Sequence, residues 1–140
     1  GMPIRTVPNP VSYLTSQPYK VLTSCIHHKA LHEKYRRSLE PWAKDKVSLF
    51  FSSEYYLEHV PLGVSKGSAI TFLCNYLGVP IDHTIAAGDA ENDISMLKTA
   101  KVGAAMANGT VQAKKAADYV TVSDNDNGGI AEIIQNFIEN

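Results

Sequence analysis

The sequence has no excess of charge of either sign, few cysteines and no long apolar run, and each lack removes a class of function. Thirteen Lys and Arg stand against fourteen Asp and Glu, a formal charge of -1. No global field therefore recruits nucleic acid or an anionic membrane, and an anionic ligand must be held by a local site. Only two cysteines occur, Cys25 and Cys74, far apart in apolar surroundings. Without CxxC spacing they suggest neither zinc nor a redox pair, and both read as buried small hydrophobes. No stretch approaches the roughly 20 apolar residues of a membrane span, and no charged start leads into an apolar leader, so the expected compartment is the cytoplasm. Gly1 ahead of Met2 resembles the scar of a removed tag in front of a native start. It is left out of the fold argument, and on that expectation the chain starts where its gene starts.

What is present is enough to fold. A chain of 140 residues that is 44% hydrophobic can bury about two thirds of its unfolded surface, as one ordinary domain or two small lobes. Residues 1–18, with Pro3, Pro8, Pro10 and Pro18, read as an irregular lead-in. Residues 19–62 read as a small α+β lobe. Its parts are a strand from Tyr19 to Ile26, a helix from His28 that Pro41 ends, and strands at Val47–Phe51 and Tyr55–Val60. In that helix Leu31, Tyr35 and Leu39 recur every four residues and form the apolar face. Glu33, Lys34, Arg36 and Arg37, with His28 and His32, form the solvated one. The two histidines have the i, i+4 spacing of a metal pair but no evident third ligand, so zinc is not expected.

From residue 63 to 140 helices and strands alternate, the pattern of a parallel sheet with crossover helices. Ser65 caps a helix whose apolar face is Ala69, Ile70, Leu73 and Leu77 and which Gly78 stops. Strands follow at Thr84–Ala87, Val102–Ala105 and Asp118–Val122, with helices at Asp93–Thr99 and Thr110–Ala117 between them. In the last helix the stripe Ile130, Ile133, Ile134, Phe137 and Ile138 must face a core.

The chemistry follows from lengths. A helix of about 12 residues runs about 18 Å and a strand of about five returns about 17 Å, so Lys66 and Asp89 meet at one edge of the sheet. Asn92 opens the next helix there, and Asn108 and Ser123 lie in loops leaving later strands at the same edge. Ligands of open α/β sheets bind at this carboxyl edge. Free N–H groups at helix starts suit a phosphate. Asp89 adds a hard oxygen of the kind Mg²⁺ prefers, and Lys66 a compact cation for a phosphoryl oxygen. Each residue alone has a plainer reading. An Asp after a strand is a common cap, Asn108 and Asn127 precede Gly as turn residues do, and Lys66 is a first-turn lysine. The helix dipole does not favour a lysine in that turn, which points to an anion.

The string Gly88-Asp89-Ala90-Glu91-Asn92-Asp93 resembles the GDxxND motif of the haloacid dehalogenase superfamily. With Lys66-Gly67 upstream, and Ala117-Asp118-Tyr119-Val120-Thr121 and Asn127-Gly128-Gly129-Ile130 downstream, residues 61–138 resemble the C-terminal half of its Cof-type sugar-phosphate phosphatases. The resemblance implies a partial Rossmann-like core over residues 63–140 and the tail of an inserted cap over residues 19–62. It implies that Lys66 holds the phosphate and steadies an aspartyl-phosphate, that Asp89 ligates Mg²⁺, and that Asn92 bonds the phosphoryl group or the nucleophile. Asn108 is a further candidate for phosphate. Asp93 belongs to the same metal site, as a helix cap and acceptor behind the ligand more than as a direct ligand. The implied substrate is a small phosphorylated metabolite.

The family's DxD pair, which supplies nucleophile and acid/base, has no counterpart here. Asp124-Asn125-Asp126 lies in a late polar loop. Loss of a nucleophile removes on the order of 10⁶-fold in rate, so the chain alone is expected to be nearly inert. It is expected to self-associate or to meet a complementing N-terminal half. The alternative is a non-catalytic remnant that binds phosphate, metal or protein. The phosphorylation domain of a P-type cation pump shares a similar string but would need membrane spans.

Overall fold

The computed structural model describes residues 5–25 and 28–139. The first four residues of the lead-in, and Ile26 at the expected end of the first strand, lie outside them. Within the lead-in, Asn9 caps a short 3₁₀ helix, Pro10–Tyr13, by accepting the Val11 N–H at 3.1 Å.

Strand β1 (Val21–Ser24), helix α1 (Lys29–Ala43), and strands β2 (Val47–Ser53) and β3 (Tyr56–Pro61) follow. The three strands form an antiparallel sheet in the order β1-β3-β2, with a register shift between Phe51 and Ser53. Two expectations for α1 fail. Pro41 does not end it: the helix runs on to Ala43, which is buried, and the Lys44 N–H still reaches the Glu40 carbonyl at 3.1 Å. A proline this close to the end sacrifices one helix bond, and the burial of Ala43 outweighs it. The inward face is also rotated by one residue. Leu31 is 56% exposed, whereas His32 is 2% exposed. The His32 ring meets the Phe51 ring edge-on at 5.1 Å, and its Nε2 lies 3.5 Å from Thr23 Oγ1. The ring is thus received by Phe51 and Thr23, while its Nδ1 is buried without a hydrogen-bond partner among the described residues, and a count of apolar residues does not see this placement.

Helix α2 (Lys66–Leu77) leads into the second sheet, which is parallel and ordered β4 (Ile85–Gly88), β5 (Val102–Ala105), β6 (Tyr119–Val120). Helices α3 (Ile94–Thr99) and α4 (Val111–Ala116) lie on one face of it and α5 (Gly129–Phe137) on the other. The two faces alternate along β5 as a strand's period of two requires. Ala105 packs with Leu97 and Ala113, while Ala104 and Met106 pack with Ile133. This is the expected class, a partial Rossmann-like sheet with crossover helices beside an α+β lobe. Strand β6 is shorter than its apolar run. The Asp118 carboxylate accepts the Gly103 N–H at 2.8 Å, and Glu132 takes the Val122 and Ser123 N–H groups, so side chains replace ladder partners at both ends.

Two apolar stripes are covered less than expected. Of the α5 stripe only Ile133 is buried, because a three-stranded sheet is too narrow to cover more. In α2 the buried residues are Gly67 and Cys74, while Phe72, Leu73, Tyr76 and Leu77 are exposed. Cys25, expected in the core, is only half buried, with its Sγ 3.5 Å from the His28 carbonyl. No helix among the described residues is long and apolar enough to cross a membrane.

Helix α2 approaches α3 through Gly67, whose N–H donates to Ser95 Oγ at 3.0 Å. A Cβ there would stand 2.6 Å from the Ser95 carbonyl oxygen. Gly67→Ala must push the helices apart, and is expected to cost about 1 to 3 kcal/mol in urea unfolding. An unchanged midpoint would show that the helices are not locked in this contact.

Candidate functional site

The carboxyl end of β4 is built around Asp93, which is 3% exposed. Its Oδ2 accepts the backbone N–H groups of Asp89 at 2.9 Å and Ala90 at 3.1 Å. Its Oδ1 accepts the Lys66 ammonium, which reaches it from the first turn of α2. The strand must turn back on itself for this, and Gly88 permits the approach: a Cβ there would fall 2.4 Å from the Cβ of Asp93. Bonds from the segment after β5 fix the turn from the other side. The Met106 N–H donates to the Gly88 carbonyl at 3.0 Å and the Thr110 N–H to the Asp89 carbonyl at 2.8 Å. Ser65 sets the start of α2 through a reciprocal cap, accepting the Ser68 N–H at 3.0 Å while its own N–H donates to Ser68 Oγ at 2.9 Å.

The two aspartates are in opposite electrostatic states. For Asp93, burial alone would push the carboxyl up, but the Lys66 ammonium and the two backbone N–H groups outweigh it and hold it below the ordinary aspartate range. Asp89 is pushed up, first by burial and then by the neighbouring Asp93 charge, and the Lys66 charge only partly offsets this. A carboxylate held ionised against burial and a like charge is one that a cation would relieve. Three residues along the chain from Asp89, Asn92 Oδ1 is buried without a hydrogen-bond partner among the described residues.

Lys66, Asp89, Asn92 and Asp93 thus meet at one place, on the start of α2 and the turn between β4 and α3. Both Asp93 oxygens are engaged by Lys66 and the loop N–H groups, and the Asp89 carboxylate lies against Asp93. Asn108 lies at the same edge, but its amide donates to Asn125 Oδ1 and its Oδ1 faces the Asn125 N–H at 3.4 Å. Asn127 is likewise spent locally, donating from Nδ2 to Asp124 Oδ1 at 2.7 Å. Among the described residues no group of three or more His, Cys, Asp or Glu could hold a metal, so this chain offers one strong oxygen donor and not a closed cage.

Two residues of the site were not anticipated as such. Arg36, expected on the wet side of its helix, is half buried against Glu91, with Nη2 at 2.9 Å from Oε1. Burial would lower the guanidinium, but the Glu91 bond and charge outweigh that and raise it above its ordinary value. No spacing signal links positions 55 residues apart, and only the fold reveals the pair. Beside it a cleft of about 480 Å³ lies between α1, β2 and the turn after β4.

A family model described as haloacid dehalogenase-like hydrolase matches residues 3–134. The phosphoglycolate phosphatase of Methanobrevibacter smithii is 34% identical over 122 residues, 84% of this chain and 50% of the relative. The 5-amino-6-(5-phospho-D-ribitylamino)uracil phosphatase of Bacillus subtilis is 35% identical over 101 residues, 71% of this chain and 40% of the relative. A haloacid dehalogenase-like hydrolase from Bacteroides thetaiotaomicron superposes over 98% of this chain and 50% of its own, with a TM-score of 0.76 and 34% identity. The chain thus spans half or less of the length of these relatives.

Opposite shifts have opposite consequences for stability. Asp93 sits below its ordinary value, so its contribution is present at neutral pH and is lost as pH falls through that lowered value. Asp93→Ala, which orphans two N–H groups and an ammonium, is expected to cost about 2 to 3 kcal/mol near pH 7, with the gap closing in acid. Asp89 sits above its ordinary value, so it favours folding only at low pH and loses that as pH rises through the raised value. Asp89→Asn is therefore expected to raise the unfolding midpoint at neutral pH and leave it little changed in acid. Midpoints moving the other way would refute this electrostatic reading.

Proposed function

Because the chain belongs to the haloacid dehalogenase-like hydrolases, we propose that it is the C-terminal half of a Cof-type, Mg²⁺-dependent phosphatase acting on small phosphorylated metabolites. The observation that carries this reading is the meeting of Lys66 and the Asp89 loop on the buried Asp93 at the carboxyl edge of β4, with the buried, unpartnered Asn92 oxygen in the same short turn.

In the proposed site Lys66 faces a phosphoryl oxygen while Asp93 fixes its reach, and Asn92 bonds the phosphoryl group or the attacking carboxylate. Asp89 holds Mg²⁺. Asp93 stays behind it, keeping the Asp89 backbone in place. Asn108 touches phosphate only if Asn125 lets go of its amide. The donors fit a hard divalent cation that completes its shell with phosphate, water and oxygens from outside these 140 residues, since burial and the Asp93 charge disfavour the ionised Asp89 carboxylate. Such an ion polarises the phosphoryl oxygens when bound. The nucleophile belongs to a DxD-bearing segment. Its carboxylate forms the O–P bond as the P–O bond to the alcohol breaks, and water then hydrolyses the aspartyl-phosphate.

Where that segment would sit is suggested by what is left uncovered. Strand β4 pairs only with β5 among the described residues, so its other edge is free. The exposed faces of α2 and α5 are of the kind a further central strand would cover. A complementing half or a second copy would protect them. The lack of a DxD pair preceded by an apolar strand in these residues also supports the non-catalytic alternative, a binder of phosphate or metal, and turnover separates the two.

With p-nitrophenyl phosphate and Mg²⁺ the chain alone is expected to show no turnover above an Asp89→Ala control, since the missing nucleophile is worth about 10⁶-fold. Turnover abolished by Asp89→Ala would overturn the claim of inertness. Mg²⁺ titration followed by amide chemical shifts is expected to weaken at least about tenfold in Asp89→Ala. Because Asp89 is pushed above its ordinary value, protons should begin to displace Mg²⁺ at a higher pH than an ordinary aspartate would allow.

A further inference from the structure

Glu91 stands two residues after Asp89, yet its side chain turns away from Lys66 toward the antiparallel sheet. Arg36 meets it fork to fork, Nη1 donating to Oε2 at 2.9 Å and Nη2 lying 2.9 Å from Oε1. The Phe51 N–H of β2 donates to the same Oε2 at 3.1 Å. Strand β2 is at the edge of its sheet, so Glu91 supplies an acceptor on the side where no strand does. The guanidinium carbon lies 5.3 Å from the centre of the Phe51 ring, and Nε, 3.5 Å from Glu40, is buried without a hydrogen bond among the described residues. One carboxylate thus binds a helix and a strand of the first lobe at once, through the bidentate geometry that best fixes a planar cation.

The other end of this residue is equally constrained. Glu91 begins the 3₁₀ turn Glu91–Asp93, which the Asp93 N–H closes onto the Ala90 carbonyl at 3.1 Å. Asn92 and Asp93 are the other two residues of that turn. A shift of α1 or β2 therefore pulls on the segment that places Asp89, Asn92 and Asp93. We propose that Glu91 is a positioning residue: through Arg36 and the Phe51 amide it ties the antiparallel lobe to the loop carrying the metal and phosphate groups, so that lobe and loop move as one body. This rests on the site assigned above, for which Arg36 touches neither metal nor phosphate and acts only through Glu91.

The test combines Glu91→Ala, Glu91→Gln, Arg36→Ala and the double variant Arg36→Ala/Glu91→Ala. The readouts are Phe51 amide hydrogen exchange, the Mg²⁺ titration of the Asp89 loop, and the urea midpoint as a check on folding. Glu91→Ala is expected to speed Phe51 exchange at least about tenfold and to weaken Mg²⁺ binding about three- to tenfold. Arg36→Ala should weaken Mg²⁺ binding in the same direction although it lies in the other lobe, and the double variant should be no worse than Glu91→Ala. Glu91→Gln, which keeps an acceptor but not the charge, should fall between.

Additive losses in the double variant, or an Mg²⁺ titration unmoved by Arg36→Ala, would overturn the coupling. If Mg²⁺ binding is equal in wild type and Asp89→Ala, the functional reading fails instead. The clamp is then judged by Phe51 exchange, where unchanged protection in Glu91→Ala refutes it.

Discussion

A single buried carboxylate decides the form of the site. Asp93 lies in a place where an aspartate should be costly, and it remains ionised because three donors converge on it: two backbone N–H groups of its own loop and one ammonium from another helix. Removing any one of them would leave part of that burial uncompensated. The turn after β4, the absence of a side chain at Gly88 and the close approach of α2 to α3 at Gly67 are all geometric conditions for this convergence. The position of Asp89 follows from them, since the backbone that carries it is held by the Asp93 oxygen.

How much of this could be read from the residues depends on the range of the forces involved. Local signals were legible. Ser65 and Gly78 bound α2 as a cap and a left-handed stop should, and the run Val102–Ala105 is a strand to the residue. The meeting of α2's first residue with the end of β4 was legible too, because it needs only two rises per residue and one crossover. What failed were side-chain placements that no strand or helix length dictates. His32 faces inward because Thr23 and Phe51 receive it. Arg36 leaves solvent because Glu91 lies 55 residues away, and Pro41 stays helical because Ala43 has somewhere to be buried. The Asn108 amide, which looked free for phosphate, is bound by Asn125 from the next loop.

The stripes of α2 and α5 are a different kind of miss. Their periodicity reads as a demand for cover, but the demand is not met by these residues: Leu73, Leu77, Ile130 and Ile138 are each at least half exposed. The chain spans half or less of the length of these relatives. On the proposed reading such faces mark where the rest of an enzyme goes, and the free edge of β4 lies with them. Apolar pattern and polar site then describe the same missing piece from two sides, one asking for a strand and the other for a nucleophile.

On the proposed reading, the division of labour between the two aspartates is what suits the site to a cation. One carboxylate is satisfied by the protein and stabilises the fold, whereas the other is left in a field that disfavours its charge. If both were neutralised internally the loop would be more stable and useless to a cation, and if neither were, it would not hold its shape. A divalent ion at Asp89 would remove an electrostatic conflict that folding leaves standing, so part of its binding energy comes from relief of strain already present. The Glu91 clamp enters at this point. A destabilised carboxylate gains from a cation only if it is held still while the cation's other oxygens arrive. The Arg36 and Phe51 contacts supply that rigidity from the neighbouring lobe without placing another charge beside Asp89.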